Sequence, residues 1–279
     1  MGTLHDGIMK IKDGRRILII DIERLPGQAT VQHRGLTITG PFWDLNSWKH
    51  TIGRRIHPDD VHKWPSTICA AWAWYGKPKV HFVADWSKGG HDRLLRETWE
   101  AYDRAHVVVG HNLAGFDTKK LRTDWLEAGY PPPSPVKTVD TLKIARREFG
   151  AESNTLNALT ERFGITSKSD KYDAGIAEAA LSGDREAQRR LAAYNRGDIA
   201  ATAGLYEYLR PWDPSHPHPK QVNAGEALTC NSCWGGNLEP NGYTLASLYM
   251  YRLYRCLDCG ANVQESKNVG RTAYTRGSR

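Results

Sequence analysis

Hydrophobic and polar positions along this chain follow two periods, and the switches between them mark out a mixed α/β protein. Arg15–Ile20 is a short, largely β-branched apolar run that reads as a buried strand continuing to Glu23. Thr67–Tyr75 and Lys79–Val83 read as a strand pair around the Gly76-Lys-Pro turn, and Ala105–Gly110 as a further strand. Helical periodicity takes over at Gly90–Ala105, where Leu94, Leu95, Trp99 and Tyr102 recur on one side. It returns from Asp117 to about Ala128, with Leu121, Trp125 and Leu126 on one face. After a proline-rich turn come helices at Lys143–Phe149, N-capped by Asp140, at Ser153–Phe163, and at Asp173–Ser182, ended by Gly183. A long one follows from about Asp184 to Leu209. The segment between Glu23 and about Trp64 is turn-rich and carries no assignable pattern, and no repeat of 20–50 residues is present.

Acidic residues fall where these elements end. Asp21 and Glu23 sit two apart at the end of the first strand, so both point the same way. Adjacent carboxylates disfavour each other's charge unless a cation intervenes, and hard oxygen ligands suit Mg²⁺ or Mn²⁺. The plain alternative is a strand end that caps a turn. His111 and Asn112 follow Gly110 at the end of another strand, where open α/β sheets place ligands. Asp117 begins the next helix and is accounted for equally well as a first-turn charge. Tyr194 and Asp198 are four apart on the long helix and share a face. Gly197 beside them costs about 1 kcal/mol against alanine, which suggests a close approach to the backbone there. Asp21, Glu23, Asp117 and Asp198 together suit a pair of divalent cations about 4 Å apart, a device for cleaving phosphodiesters.

With these segments in order, the chain resembles the DnaQ-like (DEDDy) 3′→5′ exonuclease superfamily. Asp21 and Glu23 match its first motif, Asn112–Asp117 its second and Tyr194-x-x-x-Asp198 its third. Pro131-Pro-Pro-Ser-Pro, Val139-Asp140-Thr-Leu, Tyr194-Asn195 and the Arg210-Pro-Trp-Asp-Pro-Ser-His-Pro run resemble phage and prophage predicted exonucleases that end in a zinc ribbon. The resemblance implies a ribonuclease H-like mixed sheet flanked by helices, with two Mg²⁺ or Mn²⁺ ions held by Asp21, Glu23, Asp117 and Asp198. It implies that Tyr194 orients the attacking water and that His111, Asn112 and Phe116 lie at the substrate. Arg24 stands where relatives commonly carry threonine, and is expected to contact a phosphate or narrow the terminal-nucleotide pocket.

Cys230-x-x-Cys233 and Cys256-x-x-Cys259 have the spacing of a structural zinc ribbon. Two disulfides are the alternative, disfavoured in a reducing compartment. Cys69 reads as a buried small side chain. The expected organisation is an exonuclease domain at 15–210, a proline-rich linker at 211–224, the zinc ribbon at 225–265 and a basic disordered tail at 266–279. His216 and His218 lie in that linker and are not expected to bind metal; Tyr249, Tyr251 and Tyr254 among Arg252 and Arg255 suit either ribbon packing or single-stranded nucleic acid.

A net charge of +7 and a pI near 9.1 fit a phosphate-rich partner without naming one. No apolar run is long enough to span a membrane, and the N-terminus carries neither a signal-peptide core nor a myristoylation pattern, so a cytoplasmic location is expected (host cytoplasm for a phage protein). DNA is favoured over RNA as substrate, and a separate polymerase or replication protein is a candidate partner. The rivals are an exoribonuclease and a catalytically idle module that binds nucleic acid or protein.

Overall fold

The computed structural model describes residues 16–33, 35–45, 56–165, 174–217, 228–246 and 249–271. Strand β1 (Ile17–Leu25) leads into a small sheet of β2 (Gln28–His33), β3 (Leu36–Pro41) and β4 (Val61–Lys63), with the one-turn helix α1 (Phe42–Leu45) after β3. Then come β5 (Ser66–Trp74), β6 (Val80–Ala84), α2 (Gly90–Asp103), β7 (Val107–Gly110), α3 (Asp117–Glu127) and β8 (Lys137–Asp140). Helices α4 (Thr141–Glu148), α5 (Leu156–Arg162), α6 (Ala174–Leu181) and α7 (Arg185–Leu209) follow. The chain closes with β9 (Leu238–Ala246), β10 (Tyr249–Cys256) and β11 (Asn262–Arg271).

The main sheet has the order β6-β5-β1-β7-β8. β1 pairs antiparallel with β5 and parallel with β7, so the sheet is mixed, as the ribonuclease H-like expectation required. β1 is buried on both faces. Ile17 and Ile19 pack with Ile144, Leu159, Ile199 and Tyr206 of α4, α5 and α7. Leu18, Ile20 and Ile22 pack with Leu94, Tyr102, Leu121 and Trp125 of α2 and α3. Two helical layers thus cover the sheet, and the doubly buried strand explains the unbroken apolar run. Leu126 departs from expectation: it is 75% exposed, because it lies one residue beyond the Leu121–Trp125 stripe.

The unassigned segment holds the β2–β4 sheet. β3 has no buried side chain, so no alternation marked it as a strand. The tail also needs correction. Disorder was expected beyond Glu265, yet β11 runs to Arg271, pairing Tyr251 with Asn268 and Met250 with Gly270. Ladder bonds use the backbone, to which a polar composition is no bar; residues 272–279 lie outside the described ones. The β11-β10-β9 sheet carries the cysteine cluster, against which Tyr254 packs.

The start of the expected linker is also structured. Arg210–Trp212 forms a 3₁₀ turn, Asp213 accepts from Arg147 Nη2 at 2.8 Å, and His216 is buried. His216 Nδ1 faces the Asn231 carbonyl at 2.7 Å, so that nitrogen carries the hydrogen, and Nε2 accepts from the Tyr206 hydroxyl at 2.8 Å. Trp234, one residue past Cys233, joins the core that holds Tyr206 and Leu209. The cysteine module is therefore pinned to the end of α7. His218 lies outside the described residues. Among the described residues no helix is long and apolar enough to cross a membrane.

Burial holds the His216 imidazole below its ordinary pKa of 6.5. Its contribution to stability is complete above about pH 6.5 and is lost as pH falls toward the depressed folded-state value, because the unfolded chain takes up the proton first. Urea unfolding between about pH 8 and pH 5 should show wild-type stability falling on acidification and a shallower fall for His216→Gln; equal slopes would remove His216 as the cause. Trp234→Ala should cost about 3 kcal/mol or more at any of these pH values.

Candidate active site

Strand parity builds the acidic cleft. Asp21 and Glu23 continue the face that carries Ile17 and Ile19, the face covered by α7. On α7, Leu191, Asn195, Asp198, Ile199, Thr202, Leu205 and Tyr206 make the buried stripe, which brings Asp198 to the two strand carboxylates. One oxygen from each of Asp21, Glu23 and Asp198 lies within 4.8 Å of the others. A divalent ion with 2.0–2.1 Å bonds has oxygen neighbours roughly 3–4 Å apart, so the three fit one cation with small adjustment. Without one, two carboxylate charges 4 Å apart repel by about 4 kcal/mol at an effective dielectric near 20.

Tyr194 sits beside this group. Burial first, then the charges of Asp198, Glu23 and Asp21, push its pKa well above the ordinary phenol value, and its hydroxyl is hydrogen-bonded to Asp198. In that bond the phenol is the donor and the carboxylate the acceptor. The close approach expected at Gly197 is not made by the protein: a Cβ there would meet nothing within 4 Å among the described residues. The tightly packed glycine of α7 is Gly204, whose Cβ would fall 2.3 Å from Ile165 Cγ2.

Asp117 stands apart from the trio. It is 3% exposed and accepts the Ile22 N–H at 3.3 Å. β7 pairs with β1 only as far as Ile19, so the Ile22 donor faces a gap that the Asp117 carboxylate fills. Burial, aided by the Asp140 charge and opposed by hydrogen bonds from its own and the Ile22 N–H, raises Asp117 to about 7. Asp140 caps α4 as expected, and does more. It accepts from Asn112 N at 3.0 Å, Ala114 N at 3.1 Å and Leu142 N at 3.1 Å, clamping the loop that leads to Asp117.

That loop turns sharply. Asn112 adopts φ +65°, an uncommon backbone state that clusters at functional sites, and its Oδ1 would lie 2.5 Å from a Cβ on Gly115. Asn112 and Phe116 are exposed, as substrate contacts need. His111 is not positioned for such contacts. Its Nε2 faces the Asn154 carbonyl at 3.0 Å and its Nδ1 the Thr141 hydroxyl at 2.9 Å, so both ring nitrogens tie α4 and α5 to the sheet edge.

Arg24 is the clearest correction. A β-bulge between Glu23 and Arg24 breaks the register with β5, and the side chain is 8% exposed. Its guanidinium bonds Asp124 Oδ2 at 2.5 Å, Thr67 Oγ1 at 2.7 Å and the Pro65 carbonyl at 2.9 Å. It neutralises a buried aspartate where a phosphate contact or a narrowed pocket was expected. Sequence reasoning also passed over Asn195, whose Nδ2 donates to Asp21 Oδ2 at 2.6 Å. A polar residue four from both Leu191 and Ile199 on an apolar stripe was the available signal.

None of the five cysteines forms a disulfide. Cys230 Sγ lies 3.7 Å from Cys259 Sγ and Cys233 Sγ 3.5 Å from Cys256 Sγ, with all four within 4.8 Å. Tetrahedral zinc with 2.3 Å bonds to sulfur has edges of about 3.8 Å, so the set fits such an ion. N–H groups of Ser232 and Gly235 reach Cys230 Sγ at 3.3 Å and Cys233 Sγ at 3.4 Å, as expected around thiolates. Cys69 is buried against β6, as expected of a small core side chain.

Comparison with known proteins gives one family match: a model described as the RNase_H superfamily covers residues 67–210. Protein NEN3 of Arabidopsis thaliana is 31% identical over 70 residues, 24% of this chain and 14% of that protein. Protein NEN2 of the same plant is 33% identical over 61 residues, 21% of this chain and 12% of the other. A family B DNA polymerase from the hyperthermophilic archaeon Pyrobaculum calidifontis superposes with a TM-score of 0.48 at 18% identity, over 71% of this chain and 25% of the polymerase. The chain thus spans a quarter or less of each of these proteins.

Two outcomes follow from the geometry. Arg24→Ala leaves Asp124 buried without its cation and should cost about 3–5 kcal/mol in chemical denaturation; a change below about 0.5 kcal/mol would return Arg24 to the list of substrate contacts. For Asp117, a folded-state pKa raised above the unfolded 3.8 stabilises at low pH, and that stabilisation is lost as pH climbs through about 7. Metal-free Asp117→Asn protein should therefore match wild type near pH 4 and be the more stable of the two near pH 8, by an amount on the order of 1 kcal/mol or more.

Proposed function

The chain belongs to the RNase H superfamily, and on that footing we infer that it is a metal-dependent nuclease that removes nucleotides from the 3′ end of DNA, preferring unpaired ends. One observation carries the reading: Asp21, Glu23 and Asp198 converge from a central strand and a distant helix, with the Tyr194 hydroxyl beside them. Three carboxylates held this close form a ligand set that suits a divalent cation. Polarity of digestion and the choice of DNA rest on the resemblance of the three acidic segments to the DEDDy branch of DnaQ-like exonucleases.

Asp21, Glu23 and Asp198 would hold the divalent ions, with Asp117 completing the set from the mouth of α3. Bound there, two Mg²⁺ or Mn²⁺ ions would supply Lewis-acid polarisation of the scissile phosphate and offset its growing charge. Tyr194 gives its hydrogen to Asp198, which leaves the phenol oxygen to accept a hydrogen bond from the attacking water and orient it. Phe116 offers an exposed ring to the terminal base, and Asn112 its amide. His111 and Arg24 hold the frame and touch no nucleotide in this scheme. We read 15–210 as the nuclease domain and 225–265 as a zinc ribbon in which Cys230, Cys233, Cys256 and Cys259 hold one structural Zn²⁺. Nucleic acid is the partner this scheme requires.

Oligonucleotides labelled at the 5′ end, in matched DNA and RNA forms, should yield a ladder shortened from the 3′ end with Mg²⁺ or Mn²⁺ and none with EDTA. Asp21→Ala and Asp198→Ala should each lose at least about 100-fold in rate, or ~2.7 kcal/mol of barrier. Faster cutting of the RNA form would move the substrate to RNA, and tight binding without turnover in Mn²⁺ would make the protein a binding module.

A further inference from the structure

We propose that Asn195 is a positioning residue that fixes the Asp21 carboxylate for cation binding. The proposal rests on the nuclease reading of the acidic cleft and deepens it. Asn195 is fully buried, and its amide nitrogen donates to Asp21 Oδ2 at 2.6 Å. A carboxylate accepts only, so the atom that faces it is the N–H₂ end of the amide. The other end, Oδ1, is buried without a hydrogen-bond partner among the described residues.

That combination is informative. Asparagine is a modest helix former, and a buried carbonyl oxygen left unpaired costs stability. Leu191 and Ile199 flank Asn195 one turn away on either side, so the stripe around it is apolar. A leucine has the same branched outline and carries no polar atom to be left unpaired. The gain from the amide lies in the bond to Asp21, which selects one rotamer of that side chain and partly offsets the charge of the trio while the cleft is empty of cations. Partners that orient metal ligands in this way typically change metal affinity by 10–100-fold when removed.

The experiment uses the full-length, zinc-loaded chain and Mn²⁺, with free Mn²⁺ followed by electron paramagnetic resonance. Asn195→Leu should fold with thermal stability equal to or above wild type and bind Mn²⁺ about 10–100-fold more weakly. Saturating Mn²⁺ should restore its oligonucleotide degradation to within about threefold, with KM for the oligonucleotide unchanged. Wild-type Mn²⁺ affinity in the folded variant would overturn the proposal, as would a rate defect that saturating Mn²⁺ leaves in place. If the leucine variant does not fold, Asn195→Ala is read by the same criteria. Asp21→Ala separates the two levels. If Asp21→Ala binds Mn²⁺ weakly while Asn195→Leu binds as wild type, only the Asn195 role is lost. If Asp21→Ala retains full Mn²⁺ affinity, the nuclease reading of the cleft fails and the role of Asn195 fails with it.

Discussion

Helix α7 packs its buried stripe against the face of β1 that carries Ile17 and Ile19, and the acidic cleft exists because of that contact. β1 is covered on both faces, so its side chains have no freedom to choose a side. A shift of one residue in its register would send Asp21 and Glu23 into the layer of Leu94, Tyr102 and Trp125, where no other carboxylate of the trio lies. Apolar burial on the scale of two helical layers therefore outweighs a local repulsion of a few kcal/mol among carboxylates. The core holds the charges in place against that repulsion.

The cysteine module takes part in the same arrangement. Tyr206 lies on α7 twelve residues after Tyr194; its hydroxyl meets His216, whose other ring nitrogen reaches the Asn231 carbonyl between two cysteines. Trp234 enters the core alongside it, and Arg210 lies over the rings of Tyr75 and Tyr206. Order at the four thiols is thereby connected, through packed rings and buried hydrogen bonds, to the C-terminal turns of the helix that bears Asp198. A loose tether between the two parts would have left that end of α7 unsupported.

Several polar residues near the cleft hold its walls. Asp140 collects three backbone N–H groups from two segments, His111 bridges Thr141 and Asn154, and Arg24 joins β1 to Asp124 of α3 and Pro65 before β5. Each satisfies groups that would otherwise be buried without partners, at a cost of roughly 1–3 kcal/mol apiece. Asn112 and Phe116 stay exposed on a constrained turn.

Legibility in the sequence followed the reach of each signal. Period-two alternation put Asp21 and Glu23 on one side of a strand, a spacing of four joined Tyr194 to Asp198, and paired C-x-x-C motifs announced a four-thiol cluster. These are statements about an element's own geometry, and the fold kept them. The exposed, patternless β3 and the polar β11 were invisible for the same reason, since backbone pairing leaves no mark on side-chain composition. Tertiary structure alone decided that Arg24 turns to Asp124, that His216 becomes a buried clasp, that Asp117 takes the Ile22 N–H, and that Asn195 touches Asp21. Local periodicity fixes the direction of a side chain relative to its own strand or helix. The atom it meets depends on how elements far apart in the chain pack against one another.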